Sequence, residues 1–171
     1  DHKKNITDAI LIFDGNCTRE FIDFVKVKAS KKTFTKYFVP ANYSKLIDFK
    51  DNASYFIGFN LIINLGEAKV LLGRKKVKNS IEASRALFEK RKSEINLTIV
   101  TDGPNTTCGV SEKELAKVKP NKIKDSTSRL GAGDAFFAYL LSYKEMNPDA
   151  SLKDILFYAN KKTQKYLNCS G

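Results

Sequence analysis

The strongest constraint on this chain is its alternation of short apolar runs with segments of helical period. Residues 9–13 are continuously apolar and stop at Asp14-Gly15, the pattern of a strand buried on both faces. Thr18 can cap a following helix, with Glu20 in its first turn and Phe21, Ile22, Val25 and Ala29 along one face. Tyr37-Phe38-Val39 reads as a second strand stopped by Pro40, and a weaker helix is expected over 43–49. Residues 55–63 form the longest β-type run, after which Asn64-Leu65-Gly66-Glu67 turns into a short helix ending near Gly73. Ile81, Ser84, Leu87 and Phe88 mark another amphipathic helix, and 97–100 a fourth strand leading into Thr101-Asp102-Gly103-Pro104. Pro120 punctuates a basic connection to an apolar segment at 131–141. Ser151-x-x-Asp154 then opens a last helix with Leu152, Ile155, Leu156, Ala159, Tyr166 and Leu167 on its apolar face.

This order predicts an α/β fold, a mostly parallel sheet with helices on both faces. Ligands of such sheets bind beyond the carboxyl ends of the strands. The turns at Asp14-Gly15-Asn16, at Asn64 to Glu67 and at Thr101 to Gly103 should therefore gather at one edge, together with the turn at Gly131.

That last turn, Gly131-Ala132-Gly133-Asp134, carries the sharpest chemistry. Glycines let a backbone approach a ligand closely, and a helix N-terminus adds unpaired N–H donors and the positive end of its dipole. Together these make an anion site suited to phosphate. A carboxylate does not attract phosphate, so Asp134 makes sense as a base taking a proton from an attacking hydroxyl. Standing alone, the motif reads first as a plain helix entry in which Asp134 caps the helix or complements the dipole.

Composition narrows the rest. The 171 residues, 42% hydrophobic and 29% charged, fit one globular domain. No apolar run is long enough for a bilayer, and the start lacks the apolar region of a signal peptide, so a membrane partner is not expected. The chain begins abruptly before its first strand, as the later part of something longer would. The net charge of +11 comes from scattered lysines with knots at Lys31-Lys32, Arg74-Lys75-Lys76 and Lys117 through Lys124. Aromatics do not interleave with these knots, which argues against nucleic acid as a partner. Cys17, Cys108 and Cys169 are odd in number and lack ligand spacing, so a reducing, cytoplasmic setting is expected. Asn-x-Ser/Thr recurs at Asn5, Asn16, Asn42, Asn52, Asn96, Asn105 and Asn168, which we read as a product of an Asn/Ser/Thr-rich composition.

Taken together, the motifs resemble the second half of a PfkB-type, ribokinase-like carbohydrate or nucleoside kinase. Gly131-Ala132-Gly133-Asp134 matches the family's G-A-G-D signature, Asn64-Leu65-Gly66-Glu67 its N-x-x-E, Thr101-Asp102-Gly103 its T-x-G, and Ala159-Asn160 its A-N pair. The resemblance implies an ATP-dependent transfer of phosphate to a hydroxyl of a sugar or nucleoside. Asp134 would be the base, and the N–H groups of Gly131, Ala132 and Gly133 would hold the transferring charge. Asn64 and Glu67 would position Mg²⁺. Thr101 and Gly103 would lie against the phosphates and ribose, and Asn160 near the adenine. Asp14-Gly15-Asn16 and Pro40 with Lys45 are similar to the pseudouridine kinase branch, although Val39 and Ala41 stand where that branch carries an acid and a threonine.

The sequence also departs from the family. Asp125-Ser126-Thr127 is followed by Ser128-Arg129-Leu130 before the glycine, which disturbs the loop that binds a monovalent cation such as K⁺ in many relatives. The turn after Thr101 is drawn out, with Gly109 arriving late. The acidic residue, Gly-Gly segment and lid that hold the acceptor in the family are missing. The expectation is a C-terminal, nucleotide-binding portion over 1–171 that alone transfers phosphate poorly or not at all. The alternative is a degenerate, non-catalytic kinase-like module that binds nucleotide or a protein.

Overall fold

The computed structural model describes residues 10–14, 16–18, 20–21, 23–25, 34–40, 46–47, 50, 57–73, 76–121 and 130–169. In chain order its elements are β1 (Ile10–Asp14), β2 (Thr35–Val39), β3 (Phe59–Asn64), α1 (Leu65–Leu71), α2 (Ser80–Arg91), β4 (Ile95–Thr101), β5 (Thr107–Ser111), β6 (Leu115–Val118), α3 (Ala132–Met146) and α4 (Leu152–Cys169). The strands form one sheet in the order β1-β2-β3-β4-β5-β6. The pairs from β1 to β4 are parallel, whereas β4, β5 and β6 run antiparallel. The expected mostly parallel α/β fold is the one observed.

The alternation along β3 explains its unbroken apolar run. Leu61 and Ile63 face a cluster that holds Phe38, Ala68, Leu71, Ala83, Leu87 and Val100, built around α1 and α2. Ile62 faces the opposite cluster with Tyr37, Ile99, Phe136, Leu140, Leu156 and Ala159, built around α3 and α4. A strand buried on both faces has no position for a solvated side chain. Full burial of side chains such as Leu61, Leu87 or Leu156 contributes about 2 kcal/mol each, which is why the central strands anchor the edge beyond them.

Several expectations shift in detail. β3 starts at Phe59, after Gly58 at φ 74, while Tyr55 and Phe56 lie outside the described residues. Thr18 does cap: its hydroxyl accepts from the Phe21 amide at 3.2 Å, and Glu20, Phe21 and residues 23–25 are helical. Ile22 and Ala29 lie outside the described residues, as does most of 43–49, of which Leu46 and Ile47 are helical. Tyr166, expected on the apolar face of α4, is 38% exposed.

The hairpin of β5 and β6 is the main correction. The sequence reading placed a drawn-out turn and a basic connection here, with Gly109 as a late turn glycine. In fact the chain turns straight back from β4 to β5 over residues 102–106, the Asn105 amide donating to the Asp102 carbonyl at 2.9 Å. Gly109 is a strand residue paired with Ile99. A Cβ on it would stand 2.9 Å from Leu152, so the missing side chain is what lets α4 lie on β5.

Candidate nucleotide site

The parallel register brings the expected turns to one edge. Asp14 ends β1 opposite Val39 of β2, and Asn64 ends β3 opposite Thr101 of β4. β1, β3 and β4 each hand the chain to polar residues beyond the sheet. After β1, Asp14 accepts from the Asn16 amide at 2.9 Å and from its side chain at 3.2 Å. Partial burial pushes the Asp14 carboxyl up, but the bonds from Asn16 and Cys17 outweigh it and hold the group below its ordinary value.

After β3, Asn64 is the N-cap of α1. Its side-chain oxygen accepts from the Glu67 amide at 2.9 Å, and Glu67 Oε2 accepts from the Asn64 amide at 2.8 Å. This reciprocal pair satisfies two donors that the helix leaves open. Glu67 is only 7% exposed, and burial pushes its carboxyl up while the bonds from Asn64 oppose the shift. No group of three His, Cys, Asp or Glu gathers among the described residues. One carboxylate with a neighbouring amide does not make an all-protein cage. It does suit a hydrated Mg²⁺ that arrives with phosphates.

The Gly131 turn forms as its composition requires. Gly131 is the N-cap of α3 at φ 73, a left-handed conformation that side chains resist, and it supplies no side-chain cap. The amides of Ala132, Gly133 and Asp134 therefore point out of the first turn without intrahelical acceptors. The first closed bond runs from the Ala135 amide to the Gly131 carbonyl at 2.9 Å. Asp134 is exposed in that same turn.

Between these elements lies a pocket of about 130 Å³, roughly ten times the space one water needs. Thr101, Gly103, Ala132, Gly133 and Asn160 all line it, so five of the residues singled out in the sequence converge on one cavity. A Cβ on Gly103 or Gly133 would meet nothing within 4 Å, and Gly103 sits at φ 54. Both glycines thus leave open space where a ligand could approach backbone. Asn160 is held in place: it accepts from the Thr107 hydroxyl at 3.2 Å and donates to the Leu156 carbonyl at 2.9 Å.

Asn64 and Glu67 stand beside this pocket, through the Asn64–Thr101 register, rather than in its wall. Gly131 and Asp134 flank it at the mouth of α3. Sequence reasoning missed Thr107, Pro120, Asn121, Thr163 and Gln164, which line the wall with Pro104, Phe136 and Leu167. Thr163 and Gln164 follow Asn160 at helical spacing and were legible once Asn160 was placed. Thr107 depended on the unrecognised β5. Lys45, Gly15 and the Asp125-to-Arg129 loop lie outside the described residues.

Residues 14–170 match the model of the pfkB family carbohydrate kinase. The fold superposes on phosphofructokinase-2 from Escherichia coli in complex with potassium with a TM-score of 0.74 at 19% identity, covering 95% of this chain and 52% of that one. It superposes equally on apo adenosine kinase from Trypanosoma brucei brucei, at 0.74 and 16% identity, covering 94% and 52%. For aminoimidazole riboside kinase from Salmonella enterica the values are 0.69 and 15%, covering 94% and 58%. The chain thus spans about half the length of the solved structures it matches. No curated protein matches it in sequence. Among the described residues no helix is long and apolar enough to cross a membrane.

Proposed function

The chain belongs to the pfkB family of carbohydrate kinases, and from this membership and the pocket we propose that it forms the nucleotide-binding portion of an ATP-dependent phosphotransferase. The acceptor is a hydroxyl of a sugar or nucleoside. The Asp14–Asn16 turn and Pro40 leave pseudouridine among the candidates. The observation that carries the reading is the convergence of Thr101, Gly103, Ala132, Gly133 and Asn160 on one cavity. These five residues come from three separate segments, and an ordinary loop cluster has no reason to assemble them.

The adenine and ribose lie between Asn160 and the Thr101–Gly103 turn. The phosphates run to the amides at the start of α3, where the helix dipole and the unpaired N–H groups face them. Asp134, exposed beside those amides, takes the proton as the acceptor oxygen bonds to the γ-phosphorus and ADP departs. Fixed amides stabilise charge at the transferring group because they need no reorganisation at the moment of reaction. Glu67 and Asn64 would hold Mg²⁺ through its waters, and the ion when bound neutralises phosphate charge. Three free cysteines fit the cytoplasmic setting.

Titration calorimetry with ADP, ATP and Mg²⁺ tests the reading. Saturable heat that is lost in Asn160→Ala or Gly133→Leu supports it, and a flat titration of the parent chain sinks it. A second reading, a nucleotide-binding module without transfer, is favoured by the departure at Ser128-Arg129-Leu130 before the glycine turn. It predicts the same heats with no phosphate reaching any sugar or nucleoside, even when the rest of the fold is supplied.

A further inference from the structure

We infer that Tyr166 is a positioning residue for the anion-binding turn, holding Gly131 in place from across the site. The inference rests on the nucleotide reading above and adds a residue that no part of that reading uses. Asn160, Thr163, Gln164 and Leu167 form one stripe of α4 along the pocket wall. Tyr166 is the residue before Leu167 and so points about 100° around the helix from that stripe. Its ring does not join the core; it is 38% exposed. Instead it reaches the mouth of α3. A Cβ built on Gly131 would lie 3.1 Å from the Tyr166 hydroxyl and 3.9 Å from two of its ring carbons.

Gly131 needs such a cover. It holds a left-handed conformation with no side-chain cap, and Leu130 before it is 87% exposed. The turn that aims the Ala132, Gly133 and Asp134 amides therefore gains from a side chain packed over it. Tyr166 provides it, so one helix grips both ends of the nucleotide: the pocket stripe faces the base, and the tyrosine steadies the phosphate turn. Preorganised donors bind an anion better than donors ordered on arrival, because the ordering cost is already met.

Two measurements on the 171-residue chain test this. In ligand-free protein, ¹⁵N order parameters at 130–133 should fall from about 0.85 towards 0.6 in Tyr166→Ala, while those of 152–163 in α4 stay unchanged. In calorimetry, Tyr166→Ala should weaken ADP about tenfold and adenosine less than about twofold, since only ADP uses the turn. Tyr166→Phe keeps the ring over Gly131 and should recover most of the ADP affinity. Unchanged order at 130–133, equal losses for adenosine and ADP, or a Phe variant as weak as the Ala variant would each overturn the inference. If the parent chain ignores ADP altogether, the nucleotide reading fails. The order parameters then still decide whether Tyr166 holds the turn.

Discussion

Asn64 and Glu67 close on each other at the end of β3: each backbone amide donates to the other's side chain, at 2.8 and 2.9 Å. The two residues expected to serve a metal are thus also the two that start α1. Their structural and functional roles can be separated by substitution. Glu67→Gln keeps an acceptor for the box and removes the charge. It should leave folding intact while raising the Mg²⁺ needed for half-maximal nucleotide binding. Glu67→Ala loses the reciprocal bond as well and should cost about 1 kcal/mol of stability, read in a denaturant titration. An unaltered Mg²⁺ titration in Glu67→Gln would remove the residue from the metal site.

The same carboxyl sets a pH dependence. Burial raises its folded value above the ordinary 4.5. The folded state then holds the proton more tightly than the unfolded chain, so stability from this group is present below 4.5 and is lost as pH rises through the higher folded value. Glu67→Gln has no such proton. The melting temperature of the variant should therefore gain on the parent as pH is raised from 4 to 7. A difference that stays constant across that range would show that Glu67 titrates normally.

Gly133 and Gly131 look alike in the sequence and should behave oppositely. Gly133 is inside the first turn of α3, and a Cβ there meets nothing within 4 Å. Gly133→Ala should raise stability by up to about 1 kcal/mol through helix propensity, yet weaken ADP because the methyl enters the pocket. Gly131→Ala forces a side chain into φ 73 and against Tyr166. It should cost about 1 kcal/mol or more, a fall of a few degrees in melting temperature, and weaken ADP as well. Equal stability changes for the two variants would contradict the helix start placed at Ala132.

Much of this was legible because β3 and the second half of β4 are buried on both faces and read as apolar runs; β1, read the same way, instead lies at the sheet edge and leaves Ile12 half-exposed. The caps were equally plain. Thr18 and Ser151 each accept the amide three residues on, as their positions foretold, and Asn64 does the same at the turn expected there. The hairpin of β5 and β6 was not legible for a physical reason. Thr107 and Gly109 bury small and polar groups under α4 while Cys108 faces the α2 side, and Leu115-Ala116-Lys117-Val118 alternates buried and exposed positions over only four residues. Neither gives the apolar run that marks the central strands. Tyr166 failed in the other direction. Helical spacing put it with Ile155 and Ala159, but its polar tip goes to a turn that only tertiary packing brings near.

Asp134 supplies the prediction that separates a kinase from a binding module. It is exposed in the first turn of α3, beside the amides of Ala132 and Gly133. In the enzyme with its acceptor half present, Asp134→Asn preserves the size of the side chain and removes the base. Turnover should fall by about 10²- to 10⁴-fold, the usual contribution of a positioned proton acceptor. ADP affinity should hold or rise slightly, because a carboxylate facing phosphate is mildly repulsive. The fall should appear in kcat rather than in the KM for ATP, since the carboxylate acts only as the hydroxyl attacks. Turnover within a few-fold of the parent would show that the proton leaves by another route and that Asp134 serves only the helix dipole.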